Sequence, residues 1–225
     1  MMKKKLVVVL LVGFAVASPA QSQESKSVKG NHVTIGFIQE GKWARLEAIG
    51  SAFRREIKRL TDGEFDVRFP DEKYLVADFS RPRILKAIDR LMKDPEVDMI
   101  IGLGPLVSHE LCRGVTPSKP VIAPFVLSPE VQNLPLKGDV SGVSTLSYIS
   151  YPANALRDIE VFRTITPFTR LTVLLGHTVN NGIPELQQAF QEALTAMGIE
   201  ATHIEVRESA AEATARADCS AQTTP

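Results

Sequence analysis

Apolar residues fall along this chain in two alternating spacings. Short solid runs, Val33–Ile38 (VTIGFI), Val97–Leu103 (VDMIIGL) and Pro120–Val126 (PVIAPFV), read as buried strands, and the alternating Phe65–Phe69 reads as another. The two prolines of the last run suggest an edge position or strand ends. Between these runs the spacing widens to three and four. Trp43, Leu46, Ile49, Phe53, Ile57 and Leu60 form one helical stripe, closed by Asp62-Gly63. A second helix begins after Ser80, with Pro82 in its first turn and Ile84, Ile88 and Leu91 on one face. Strand–helix–strand repetition with solid apolar strands predicts an α/β fold, a parallel sheet covered on both faces.

The stretch 128–138, rich in Pro, Asn and Gly, and the small-residue run Val140–Ser147 predict a crossing into a second lobe. There the pattern restarts, with a helix over Pro152–Ile165 and a strand over Arg170–Leu175. A helix carrying Ile183, Leu186, Phe190, Leu194 and Met197 follows, closed by Gly198 at its C′ position. Thr202–Val206 reads as a strand and Ser209–Ala217 as an alanine-rich helix. The organisation expected is a first lobe over 32–140, a partial second lobe over 141–217 and a disordered tail over 218–225.

The first twenty residues stand apart. Lys3, Lys4 and Lys5 precede the apolar run Leu6–Ala17 and the small-residue Ser18-Pro19-Ala20, the order of a secretory signal cleaved after Ala20. A polar leader over 21–31 follows. The apolar run is shorter than the ~20 residues of a comfortable membrane span. No cysteine follows it closely, which argues against a lipoprotein anchor. The mature chain is therefore expected to be soluble and periplasmic. Loss of the three lysines turns a balance of 26 basic and 26 acidic residues into a net charge of −3, without the basic excess that nucleic acid requires. Cys112, in a predicted helix, and Cys219, in the polar tail, give no disulfide framework.

The richest local feature is Met99–Leu111 (MIIGLGPLVSHEL), a strand that passes through Gly102 and Gly104 into a helix. A dinucleotide fingerprint would need a third glycine where Val107 stands, and a P-loop would need Gly-Lys-Ser/Thr. Ser108, His109 and Glu110 stand in a row. Consecutive helical residues point about 100° apart, so these cannot form a relay with one another. His32, His109, His177 and His203 are too scattered for a metal site. No catalytic residue, metal or cofactor is expected, and the chain reads as a binder, not an enzyme. Two readings stand for the glycines: tight strand–helix packing, or close approach of backbone to a ligand whose oxygen meets the helix N–H groups. Trp43, likewise, is either a core residue or a stacking platform.

In order along the chain, Val97–Gly104, Pro120-Val-Ile-Ala, Gly142-Val-Ser144, Ile165–Leu175 and the helix end at Gly198 resemble a type I periplasmic solute-binding protein. The likeness is nearest to the substrate-binding subunits of ABC transporters in the tryptophan/tyrosine-type family. The resemblance implies two Rossmann-like lobes with parallel sheets, the second incomplete here. It implies capture of a small solute, an amino acid or similar, between the lobes and delivery to an ABC permease in the inner membrane. By position it implies ligand contacts at Gln39, Gly41, Trp43, Gly104, Ser108, Leu127 and Ser128, and in the second lobe at His177, Asn180 and Asn181. With only two second-lobe strands, the 225 residues are expected to hold that solute weakly. The alternative is a periplasmic sensing domain that acts through a separate signalling partner.

Overall fold

The solid apolar runs become the centre of one parallel sheet. The computed structural model describes residues 32–113, 116–151, 155–176 and 182–206. The first unit runs β1 (His32–Gln39), α1 (Ala44–Thr61), β2 (Asp66–Arg68), a short 3-10 turn (Asp71–Lys73), β3 (Tyr74–Val76), α2 (Arg81–Lys93), β4 (Met99–Leu103), α3 (Pro105–Cys112), β5 (Val121–Leu127) and β6 (Leu146–Tyr151). The strand order is β2-β1-β4-β5-β6, with β3 also on β1, and every pairing is parallel. In register, Phe37 stands opposite Ile101 and Ile38 opposite Gly102.

Because side chains alternate across a strand, each central strand feeds two cores. Ile38, Ile100, Val121 and Ala123 pack with Ile84 and Leu91 of α2 and with Leu106, Val107 and Leu111 of α3. Ile35, Phe37, Ile101 and Leu103 face the other way, against Ile49, Phe53 and Ile57 of α1. Each fully buried Val, Leu, Ile or Phe among them contributes ~1.5–3 kcal/mol relative to exposure. The predicted α1 stripe is thus buried at Leu46 and half-buried at Ile49, Phe53 and Ile57, while Trp43 and Leu60 at its ends stay exposed.

Three expectations change, and the enclosure of one helix is added to them. β2 is shorter than the alternating run, and β3 is a three-residue strand too brief to leave a periodic signal. β5 is interior to the sheet, not an edge. Pro120 stands just before it, and Pro124 lies where the β5–β6 register shifts between Ala123 and Val126. A proline lacks the N–H a ladder needs, and a bulge tolerates that. The end of the run read as a crossing enters β6, which pairs with β5 and carries the first sheet to Tyr151. Finally, α3 is buried on every side, including Ser108, His109 and Glu110.

The second unit holds α4 (Ala155–Ile165), β7 (Arg170–Gly176), α5 (Pro184–Ala196) and β8 (Glu200–Val206). β7 and β8 pair in parallel from Arg170↔Glu200 to Gly176↔Val206. Gly198, at φ 68°, closes α5 as the sequence predicts, its N–H donating to the Thr195 carbonyl at 3.0 Å. Ile183, just before α5, is buried in the α2/α3 core, so this unit rests on the first. The signal, the leader, the helix over Ser209–Ala217 and the tail lie outside the described residues.

Candidate functional site

Parallel neighbours carry their carboxyl ends to one side, so the ends of β1, β4 and β5 stand in a row. From β1 the chain moves to β2 and β3 on one flank and then to β4 on the other. That reversal opens the crevice in which α/β sheets hold ligands. Gln39 and Gly41 end β1, Gly104 and Ser108 follow β4, and Leu127 and Ser128 end β5. Six of the predicted contact residues therefore gather at one sheet end.

The crevice between β1 and β4 is filled from within, by Glu40. Its carboxylate Oε2 accepts the N–H of Leu106, in the first turn of α3, at 3.0 Å. Its own N–H donates to the Leu103 carbonyl at 3.0 Å, and its carbonyl accepts the Phe79 N–H at 2.6 Å. Glu40 is only 6% exposed. Burial pushes its carboxyl up to about 7, partly countered by the Leu106 and Val107 N–H groups that favour the charged form. Gly104 makes this possible. It sits at φ 117°, ψ 156°, a region open essentially to glycine, and a Cβ there would collide with the Glu40 side chain. The two readings of the glycines thus resolve into a third at this joint. Close approach occurs, and the group that approaches Gly104 is the protein's own carboxylate.

Around it, most predicted contacts serve as supports. Gln39 is buried, its Nε2 donating to the Gly41 carbonyl at 2.6 Å and its Oε1 accepting the Tyr74 hydroxyl at 2.6 Å. The Phe79 ring covers Gly41 so closely that no Cβ fits there. Ser108 is 0% exposed, and its Oγ accepts the Phe125 N–H at 3.1 Å. That N–H falls in the β5 register shift, off the regular ladder. Burial and these bonds commit the polar atoms of Ser108 and Gln39 to the protein's own groups. Trp43 precedes α1 and is 47% exposed, which removes the core reading. Ser128 adopts a left-handed φ of 53° and donates its N–H to the Tyr151 carbonyl at 3.2 Å. Leu127 offers its carbonyl to Gln132 Nε2. His177, Asn180 and Asn181 lie outside the described residues.

The residues of the Ser-His-Glu row part in three directions, as their helical spacing requires. Glu110 pairs with Arg81 of α2 at 2.5 Å. His109 Nδ1 stands 2.7 Å from Gln132 Oε1, which can only accept, so the proton is assigned to Nδ1. Nε2 then accepts from Arg113 at 3.4 Å. Burial holds the His109 imidazole below its usual range. Arg113 also reaches Glu185 of α5, 3.7 Å away, linking this buried chain to the second unit. Among the described residues no group of three or more His, Cys, Asp or Glu could hold a metal, and no helix is long and apolar enough to cross a membrane.

Glu40 is the residue that sequence reasoning passed over. It stands inside the loop Gln39-Glu-Gly-Lys-Trp43, and an acid directly after a buried strand was its only signal.

Solved structures share this fold at low identity. The ABC domain from Streptococcus pneumoniae in complex with L-Trp matches with TM-score 0.58 at 16% identity, covering 78% of this chain and 58% of that one. A leucine binding protein from Thermotoga maritima matches with TM-score 0.52 at 14% identity, over 84% of this chain and 53% of that one. A solute binding protein of an ABC transporter from R. palustris, in complex with 4-hydroxybenzoate, matches with TM-score 0.50 at 16% identity, over 79% and 47%. The fold is that of the type I periplasmic binding proteins, and this chain spans about half the length of these structures. No family model matches the chain, and no curated protein matches it.

Proposed function

We propose that the chain is the solute-capturing component of an ABC transporter, exported to the periplasm, which holds a small solute of the amino-acid kind and presents it to a membrane permease. The observation that carries this reading is the row of strand ends at the β1/β4 reversal, in a fold shared with proteins solved with L-Trp and 4-hydroxybenzoate. In an open α/β sheet that row is where a ligand sits. The first-lobe contacts are the backbone around Gly41, Leu127 and Ser128 and the exposed ring of Trp43, with Gln39 and Ser108 fixing the loops. His177, Asn180 and Asn181 complete the site from the second lobe. The task is holding: the buried polar groups of α3 pair with their neighbours and leave no nucleophile beside a base.

Saturation-transfer NMR on the full chain, with a panel of L-amino acids, aromatic acids, nucleosides and sugars, tests this and detects weak binding. The expected result is saturable transfer to one chemical class, reduced in Trp43→Ala. Absence of transfer across the panel would overturn the proposal.

A further inference from the structure

We propose that Glu40 determines which charge a solute brings to the first lobe: its carboxylate, seated on the amino end of α3, closes the β1/β4 crevice to a solute carboxylate or phosphate and leaves it to a neutral or cationic group. The inference rests on the solute-binding reading and narrows its substrate class.

Two independent observations meet at this residue. The strand order reverses between β1 and β4, which marks the crevice as the ligand position. Into it the first turn of α3 directs N–H groups of the kind that attract anions. The Leu106 N–H is already taken, by Glu40 Oε2 at 3.0 Å. The Glu40 backbone is tied on both sides, to Leu103 at 3.0 Å and to Phe79 at 2.6 Å, and the residue as a whole is buried. The Glu40 side chain fills the space that a Cβ at Gly104 would need. Above about pH 7, where Glu40 is ionised, an incoming anion would have to strip it of its N–H partner Leu106 and then lie beside a second buried negative charge, a costly arrangement in low dielectric. A solute that donates hydrogen bonds, or carries an ammonium, meets no such barrier. An amino acid would thus bring its amino end to this lobe and anchor its carboxylate elsewhere.

The test uses the 15N-labelled full chain at about pH 8, where Glu40 is ionised, with acetate as probe at constant ionic strength. In the wild type the Leu106 and Val107 amide resonances are expected to ignore acetate. In Glu40→Ala, which empties the seat, both should shift saturably. Glu40→Gln keeps an acceptor oxygen in place and should stay unresponsive. A saturable wild-type response, no response in a folded Glu40→Ala variant, or an equal response in Glu40→Gln would each overturn the proposal. Should Glu40→Ala not fold, the wild type decides alone: Leu106 and Val107 amides that ignore acetate uphold the assignment, and a saturable shift overturns it. A panel in which no solute binds would sink the solute-binding reading while these acetate arms still report on Glu40.

Discussion

The Glu40 carboxylate lies where the Cβ of any residue but glycine at position 104 would have to stand. Gly104→Ala must therefore displace that carboxylate and also bear a backbone conformation that costs L-residues ~1–3 kcal/mol. Gly63, at φ 81°, has no atom within 4 Å of its would-be Cβ and serves as a positive-φ comparison free of any clash. In urea unfolding, Gly104→Ala should lose clearly more stability than Gly63→Ala. Equal losses would mean that Glu40 yields without cost.

Glu40 also ties stability to pH. Its folded carboxyl is raised from 4.5 to about 7, so the native state holds a proton that the unfolded chain has released. A raised value contributes stability that is fully present below about 4.5 and is lost as pH rises through about 7. At 1.36 kcal/mol per pH unit the loss amounts to about 3 kcal/mol. The His109 imidazole, held low by burial, acts with the opposite sign, favouring the native state as pH rises through its unfolded value. The difference between Glu40→Gln and wild type isolates Glu40: it should grow in favour of the variant from about pH 4.5 to about 7 and then level off. Parallel stability curves would contradict the buried, N–H-bonded placement of this carboxyl.

Ser108→Ala leaves the Phe125 N–H without its acceptor, at a position where the β5 ladder offers no substitute. A fully buried unsatisfied donor costs ~1–3 kcal/mol, and the part-buried Phe125 N–H falls toward the lower end. Chemical denaturation should report a loss in that range, with little change in solute affinity beyond it. A variant as stable as wild type, with binding abolished, would return Ser108 to the ligand.

Cys112 is 3% exposed, and burial pushes its thiol up to about 12. It should resist iodoacetamide at pH 8 in the native chain and react fully in denaturant, read by peptide mass spectrometry. Native labelling at a free-thiol rate would show α3 to be far less enclosed.

The sequence was most legible where packing governs. The solid runs through Val33–Ile38 and Val97–Leu103 could only be central strands, and Gly198 announced the end of α5 through the left-handed turn it supplies. Legibility failed where the third dimension assigns partners. Ser108 read as a ligand contact, and His109 and Glu110 as helix residues that form no relay, because nothing local reveals that Phe125, Gln132 and Arg81 wait on three sides. Trp43 fits the α1 stripe by spacing, yet it stands before the helix and points clear of the core. The strand-end row was legible as a place. Its occupant was not, since the pairing of Glu40 with Leu106 spans 66 residues of sequence.

The central claim is that a small solute sits against the carboxyl ends of β1, β4 and β5, and amide chemical-shift mapping tests it most directly. The 15N-labelled full chain would be titrated with whichever solute shows saturation transfer. The Gly41, Gly104 and Ser128 amides should move together and fit one dissociation constant, while the Asp66–Arg68 amides of β2, paired with the opposite end of β1, stay still. Shifts confined to β7 and β8, with those three amides unmoved, would contradict it.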